Sequence, residues 1–195
     1  MRRVVIIHQW MAGPDGDWRP WLTRELKEKS YEVICPEMPG MDTPVIGKWV
    51  GKLAEIVRPD RETVLVGHSI GCQAILRYLE TLPEKTKVRG IVLVAPWMKL
   101  DMKTLEEEGE GEEVMKIARP WIETPIDFLK VRVHTGNVTA IFSDNDYYVP
   151  IQQKDLFESE LGAKIVVEHE KGHFTEDDGV TELPSVLAAV ESLFL

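Results

Sequence analysis

Apolar residues in this chain come in short runs, separated by stretches where they recur every three or four positions. The runs at 3–8, 31–35, 63–67, 88–95, 138–143 and 164–168 are of strand length and rich in Val and Ile. Most are apolar at consecutive positions, which suits strands covered by helices on both faces. The stretches 18–28, 44–57, 70–82, 151–161 and 183–195 have helical spacing, with Pro44 and Pro150 suited to a first helical turn. This alternation predicts an α/β fold, a doubly wound and mostly parallel six-stranded sheet flanked by helices. Ligands in such sheets bind at the carboxyl ends of the strands, so the loops after His8, Ser69, Ala95, Ser143 and Glu168 are expected to carry the chemistry.

One stretch breaks the rhythm. Residues 97–124 read as an acidic insertion within an otherwise single domain spanning 1–195. The run Glu106-Glu-Glu-Gly-Glu-Gly-Glu-Glu113 has the composition of a solvated loop. Its position at the ligand end of the sheet also permits a small lid. Trp97 and Trp121 bracket it and are expected to contribute to substrate binding, with plain packing as the alternative.

A chain of 195 residues is long enough to bury about 70 % of its surface in one core. The formal charge of −10 argues against nucleic acid or an anionic membrane as partner. Cys35 and Cys72 are too few for a disulfide framework and read as small apolar residues. The apolar run that follows Met1-Arg2-Arg3 is too short for a signal-peptide core, so it is read as the first strand and the setting as cytoplasmic. No stretch reaches the ~20 residues needed to span a bilayer.

The segment Thr63-Val-Leu-Val-Gly67-His68-Ser69-Ile70-Gly71-Cys72 places G-x-S-x-G between a strand and a helix, the setting of a nucleophile elbow. There the turn is so tight that the serine is strained and its Oγ stands exposed above the sheet. A serine hydroxyl needs a base to take its proton, and the base needs a third group to orient it. Chain order Ser, Asp, His points to later strand ends. Ser143-Asp144-Asn145-Asp146 follows one strand and Gly172-His173-Phe174 the next. His173 is the best-placed base; His8, His68 and His134 read as structural. Spacing alone leaves Asp144 and Asp146 even. The residue after the nucleophile, Ile70, is expected to give one oxyanion N–H.

With these pieces in view the chain resembles the α/β-hydrolases, and more narrowly the small serine hydrolases grouped with retinoblastoma-binding protein 9 and its bacterial YdeN-like relatives. The matching residues are Val-Ile-Ile-His8, Asp17-Trp18-Arg-Pro-Trp21-Leu, Gly67-His-Ser-Ile-Gly71, Ser143-Asp-Asn-Asp146-Tyr-Tyr-Val-Pro150 and Gly172-His173-Phe174. The resemblance implies a sheet order of 2-1-3-4-5-6 and little or no cap. It also implies an acid four residues before the proline, which selects Asp146 and gives the triad Ser69, Asp146 and His173. Many relatives carry His-Gly after the first strand where this chain has His8-Gln9-Trp10. Trp10 is the expected second oxyanion donor and a pocket wall, with Gln9 as the alternative donor.

His169-Glu170-Lys171-Gly172-His173 also matches H-E-x-x-H, but zinc binding by that motif requires a helix. The preceding residues are strand-like and Gly172 interrupts the motif, so no metal is expected. The reading is a cofactor-free, carboxylesterase-like serine hydrolase acting on a small acyl ester, amide or thioester, with amidase or peptidase activity within the same chemistry. The alternative is a non-catalytic protein-interaction scaffold of the same fold.

Overall fold

The computed structural model describes residues 1–101, 103–104 and 111–195. Its strands are β1 (Arg3–Ile7), β2 (Glu32–Ile34), β3 (Thr63–His68), β4 (Gly90–Val94), β5 (Val138–Ser143) and β6 (Lys164–Glu168). They form one sheet in the order β2-β1-β3-β4-β5-β6, every neighbouring pair parallel. The described helices are α1 (Arg19–Glu28), α2 (Ile46–Ile56), α3 (Ile70–Glu80), α4 (Gly111–Glu123), α5 (Phe128–His134), α6 (Gln153–Leu161) and α7 (Pro184–Ser192). The α/β class, the six parallel strands and their order are as expected.

The burial pattern explains why the central strands are apolar throughout. Every residue of β1, β3, β4 and β5 is buried, whereas β2 and β6 at the two edges are only partly covered. On one face α3 packs against β1 and β3, with α2 and α5 beside it and α6 beyond, over β5 and β6. On the other, α1 and α7 pack together, α1 against β2 and α7 against β4 and β5. Helix α3 is buried from Ile70 to Leu79. Each large apolar side chain it buries contributes roughly 1.5–3 kcal/mol, so the helix that follows Ser69 is held firmly.

Three details differ from the sequence reading. Helices α2 and α6 begin at Ile46 and Gln153, past the prolines at 44 and 150. Helix α5, opened by Asp127 accepting from Lys130 N at 3.2 Å, was not expected. Within the acidic insertion, residues 111–123 are helical, so the last part of the acidic run, read as loop, opens a helix. Residues 102 and 105–110, and with them most of the acidic run, lie outside the described residues. Among the described residues no helix is long and apolar enough to cross a membrane.

The chain runs from β1 outward to β2 on one side and then returns to β3 on the other. That reversal opens a crevice at the carboxyl ends of β1 and β3. Ser69 lies directly after β3 and His8-Gln9-Trp10 directly after β1.

Candidate active site

Ser69 has φ +52° and ψ −118°, a conformation that side chains other than glycine rarely adopt and that costs about 1–3 kcal/mol. The surroundings fix it. Ser69 N donates to Val94 O at 2.8 Å, and Cys72 N donates to Ser69 O at 2.9 Å. Both glycines of the motif are required by close approach. A Cβ on Gly67 would lie 2.8 Å from Cys72 N, and one on Gly71 would lie 2.5 Å from Ile7 O. The second contact presses the start of α3 against the end of β1, which brings the first loop beside the serine.

Ser69 Oγ stands 3.0 Å from His173 Nε2. On the far side of the ring, Nδ1 lies 2.9 Å from Asp146 Oδ2 and 3.1 Å from Oδ1. Asp146 Oδ1 also accepts from the Tyr148 and Val149 N–H groups at 2.9 and 3.0 Å, so the carboxylate is fixed by its own loop. A carboxylate against Nδ1 makes that nitrogen the donor and leaves Nε2 free to accept from Ser69. Asp144 faces elsewhere. Its carboxylate accepts from Glu170 N at 2.9 Å and meets His169 Nδ1 at 2.6 Å. The Glu170 N–H and then His169 hold the Asp144 carboxyl below its ordinary range, and Asp144 raises His169.

Beside Ser69 lies a cavity of about 430 Å³ that also reaches Gln9, Trp10, Ile70 and Tyr148. Trp97 is buried there and donates its indole N–H to Ser69 Oγ at 3.1 Å. Ala95, at φ +46°, turns the chain after β4 toward this position, and Gln73 Nε2 holds Trp97 O at 3.1 Å. Leu100 and Val114, both from the insertion, line the same cavity. Trp10 is at its mouth, with its indole bonded to Asp42 O at 2.9 Å. Among the described residues, the backbone N–H groups of Ile70, Gln9 and Trp10 meet no protein acceptor. Trp121, expected in the pocket, lies elsewhere. It is wholly buried, donates to Pro44 O at 3.0 Å and packs edge-on against Trp49.

Residues 4–192 match the family model for serine hydrolases. The chain belongs to the serine hydrolase family. This serine hydrolase is 32 % identical over 197 residues to YdeN of Bacillus subtilis, across 99 % of this chain and 96 % of that one. The crystal structure of the B. subtilis ydeN gene product superposes with a TM-score of 0.88 at 28 % identity, covering 100 % of this chain and 99 % of the other. Serine hydrolase RBBP9 of Rattus norvegicus is 23 % identical over 90 % of this chain and 86 % of its own. Est1E of Butyrivibrio proteoclasticus, solved with ferulic acid bound, shares the fold with a TM-score of 0.71 at 14 % identity, over 100 % of this chain and 88 % of that one.

Several residues that hold the site of this serine hydrolase carry no signal of that role in the sequence. Four consecutive side chains from the end of β5 grip the loop after β6. Asp144 takes Glu170 N, Ser143 Oγ takes Lys171 N at 3.0 Å, Asn145 Oδ1 takes Gly172 N at 2.9 Å, and Asp146 takes the His173 ring. Asp178 Oδ2 accepts from His173 N at 2.8 Å. His68 was expected to be structural, and its contacts say how. Its Nε2 donates to His173 O at 2.9 Å while Nδ1 accepts from Arg19 at 3.3 Å, which fixes a neutral tautomer. Burial first, then the charges of His173 and Arg19, push its pKa well below the ordinary value. Arg19 is wholly buried and paired with Asp17 at 2.8 Å. Asp17 and Glu176 exchange two hydrogen bonds of 2.9 Å, each backbone N–H to the other's carboxylate, tying the first loop to the His173 loop. The signal for this network was Asp17-Trp18-Arg19 in the stretch that carried the family resemblance.

The H-E-x-x-H segment is not helical. Glu170 and Gly172 both have φ +52°, His169 is exposed on Asp144, and His173 is buried on Asp146, so the two rings serve different networks. Both thiols are held protonated by burial, Cys35 pushed up to about 11 and Cys72 higher still.

Proposed function

We propose that this chain hydrolyses small acyl esters, amides or thioesters through an acyl-enzyme on Ser69, with carboxylesters as the favoured class. The observation that carries the reading is the unbroken chain of contacts Asp146–His173–Ser69, ending at an oxygen that opens into the cavity. In this mechanism His173 Nε2 takes the Ser69 proton as Oγ attacks the acyl carbonyl, and Asp146 stabilises the imidazolium. The oxyanion is received by Ile70 N–H and by a second N–H from the first loop, assigned to Trp10. His173 then protonates the leaving group and activates the water that releases the acyl chain. Every proton is accounted for within the triad and water, and the scheme uses no cofactor.

A cavity of about 430 Å³ lies at the small end of ligand sites, which span roughly 300–1,000 Å³. Its aromatic walls favour a compact apolar or aromatic acyl group. The described part of the insertion serves as a wall of the cavity through Leu100 and Val114. The unpaired thiols suit a reducing, cytoplasmic setting.

The test is hydrolysis of short-chain p-nitrophenyl esters by wild type and by Ser69→Ala. Loss of about 10⁴-fold or more in kcat/KM is expected for the variant. A Ser69→Ala protein with full activity contradicts the mechanism. A wild type inactive on every acyl substrate, yet forming a stable complex with a protein partner, moves the scaffold reading ahead.

A further inference from the structure

A second cavity opens at the opposite end of the sheet, and its charge runs against that of the molecule. The chain carries 33 acidic and 23 basic residues. This pocket of about 260 Å³ is nevertheless lined by Arg61, Lys87, Arg89 and Arg132, together with His134, and by no acidic residue. It sits where β4 and β5 begin, between the residues leading into β4 and the turn 135–137. The nucleophile lies at the other ends of these strands, about 17 Å away for five residues of strand.

The cations are only slightly compensated. Lys87 Nζ donates to Val133 O, at the carboxyl end of α5. That end contributes about half a negative charge. Among the described residues, Arg61, Arg89 and Arg132 have no carboxylate partner. The Arg89 guanidinium lies 5.1 Å above the Phe194 ring, with its Nε buried and without an acceptor. The frame around it is rigid. Asn137 Nδ2 holds Arg89 O at 2.9 Å, Asn137 N meets Thr135 Oγ1 at 3.1 Å, and Val88 N donates to His134 O at 3.0 Å.

We propose that this pocket binds a small phosphate-bearing anion. Three guanidinium groups with an ammonium suit a compact, multiply charged oxyanion, because planar guanidinium forks match its oxygens bidentately. The volume falls below that of drug-sized sites, which selects a free phosphate or the phosphate end of a small phosphomonoester.

The site is tested by isothermal titration of the intact chain at low ionic strength with inorganic phosphate, pyrophosphate and ribose 5-phosphate. Gly136 offers a clean blocking variant, since a Cβ there meets nothing within 4 Å. Gly136→Asp puts a carboxylate into the pocket, and the double variant Arg61→Gln/Arg132→Gln removes two exposed cations. Each is expected to weaken binding about tenfold or more while leaving fluorophosphonate labelling of the active serine unchanged. If Gly136→Asp melts early, the double variant decides the matter alone. Tighter binding of ribose 5-phosphate marks a phosphomonoester as occupant, and tighter binding of inorganic phosphate or pyrophosphate marks the free anion; either upholds the site. Absence of heat with all three anions, or binding that both variants retain, overturns it. The outcome does not depend on whether Ser69 is a nucleophile.

Discussion

Two groups reach Ser69 Oγ, the His173 imidazole at 3.0 Å and the Trp97 indole at 3.1 Å. An indole N–H can only donate, so it occupies a lone pair of the hydroxyl and leaves the hydroxyl proton for His173. In the proposed mechanism Trp97 thereby holds Oγ in the attacking rotamer. Trp97→Phe keeps the aromatic wall and removes the donor, and kcat/KM is expected to fall by up to about tenfold, the worth of one neutral hydrogen bond. An unchanged kcat/KM would show that the contact is idle. The two aspartates are separable in the same way. Asp146→Asn is expected to lower kcat by about 10⁴-fold, because an amide no longer fixes the imidazole tautomer. Asp144→Asn leaves chemistry nearly intact and loosens only the clasp on Glu170 and His169. The reverse pattern in steady-state kinetics transfers the role of the acid to Asp144. Spacing could not decide between these residues, because both follow one strand; the two N–H groups of the Tyr148-Val149 turn aim Asp146 at the ring.

Among the elements, the strands were the most legible, since a run of Val and Ile wanted on both faces leaves little choice of structure. Helices α4 and α5 were not. Val114, Ile117, Ala118, Trp121 and Ile122 do follow a helical period, with Ala118 and Trp121 fully buried. Pro120 and the acidic run hid it, although Pro120 sits on the exposed side of α4. Arg77 completes the anchoring from α3, donating to Trp121 O at 2.9 Å and Thr124 O at 2.7 Å. No local pattern announces such a long-range cap, so the sequence alone leaves Trp121 open between the pocket and the core. The elbow, by contrast, was legible because its sterics are local. Gly71→Ala is expected to cost about 1–3 kcal/mol through overpacking against Ile7 O. Urea unfolding checks it; an unaltered midpoint would mean that β1 and α3 separate freely.

At the scale of the whole molecule, one sheet separates two poles of different chemistry, the Ser69–His173–Asp146 contacts at the carboxyl ends and a cluster of cations at the amino ends. The family was legible from motifs that span the chain, while the tether from β1 to the His173 loop needed the fold. Two histidines in that region tie stability to pH. His8 and His68 are buried, and burial is the leading cause that lowers each pKa. The unfolded chain therefore takes up protons first as pH falls through about 6.5. Stability is full above that value and declines below it, by up to about 1.4 kcal/mol per pH unit for each histidine. Urea unfolding between pH 7.5 and 5.5, as ~2 units across the transition, is expected to show this loss. His169, raised by Asp144, acts in the opposite sense, so the decisive profile is that of His169→Gln; a flat one contradicts the buried neutral state of both rings.

The proposed chemistry stands or falls with an activated serine at position 69. Intact mass and peptide mapping after treatment with a fluorophosphonate probe it without knowledge of the substrate. A single adduct is expected on Ser69 of the wild type and none on Ser69→Ala. Folded wild-type protein that takes no adduct, or takes it at another residue, contradicts the mechanism.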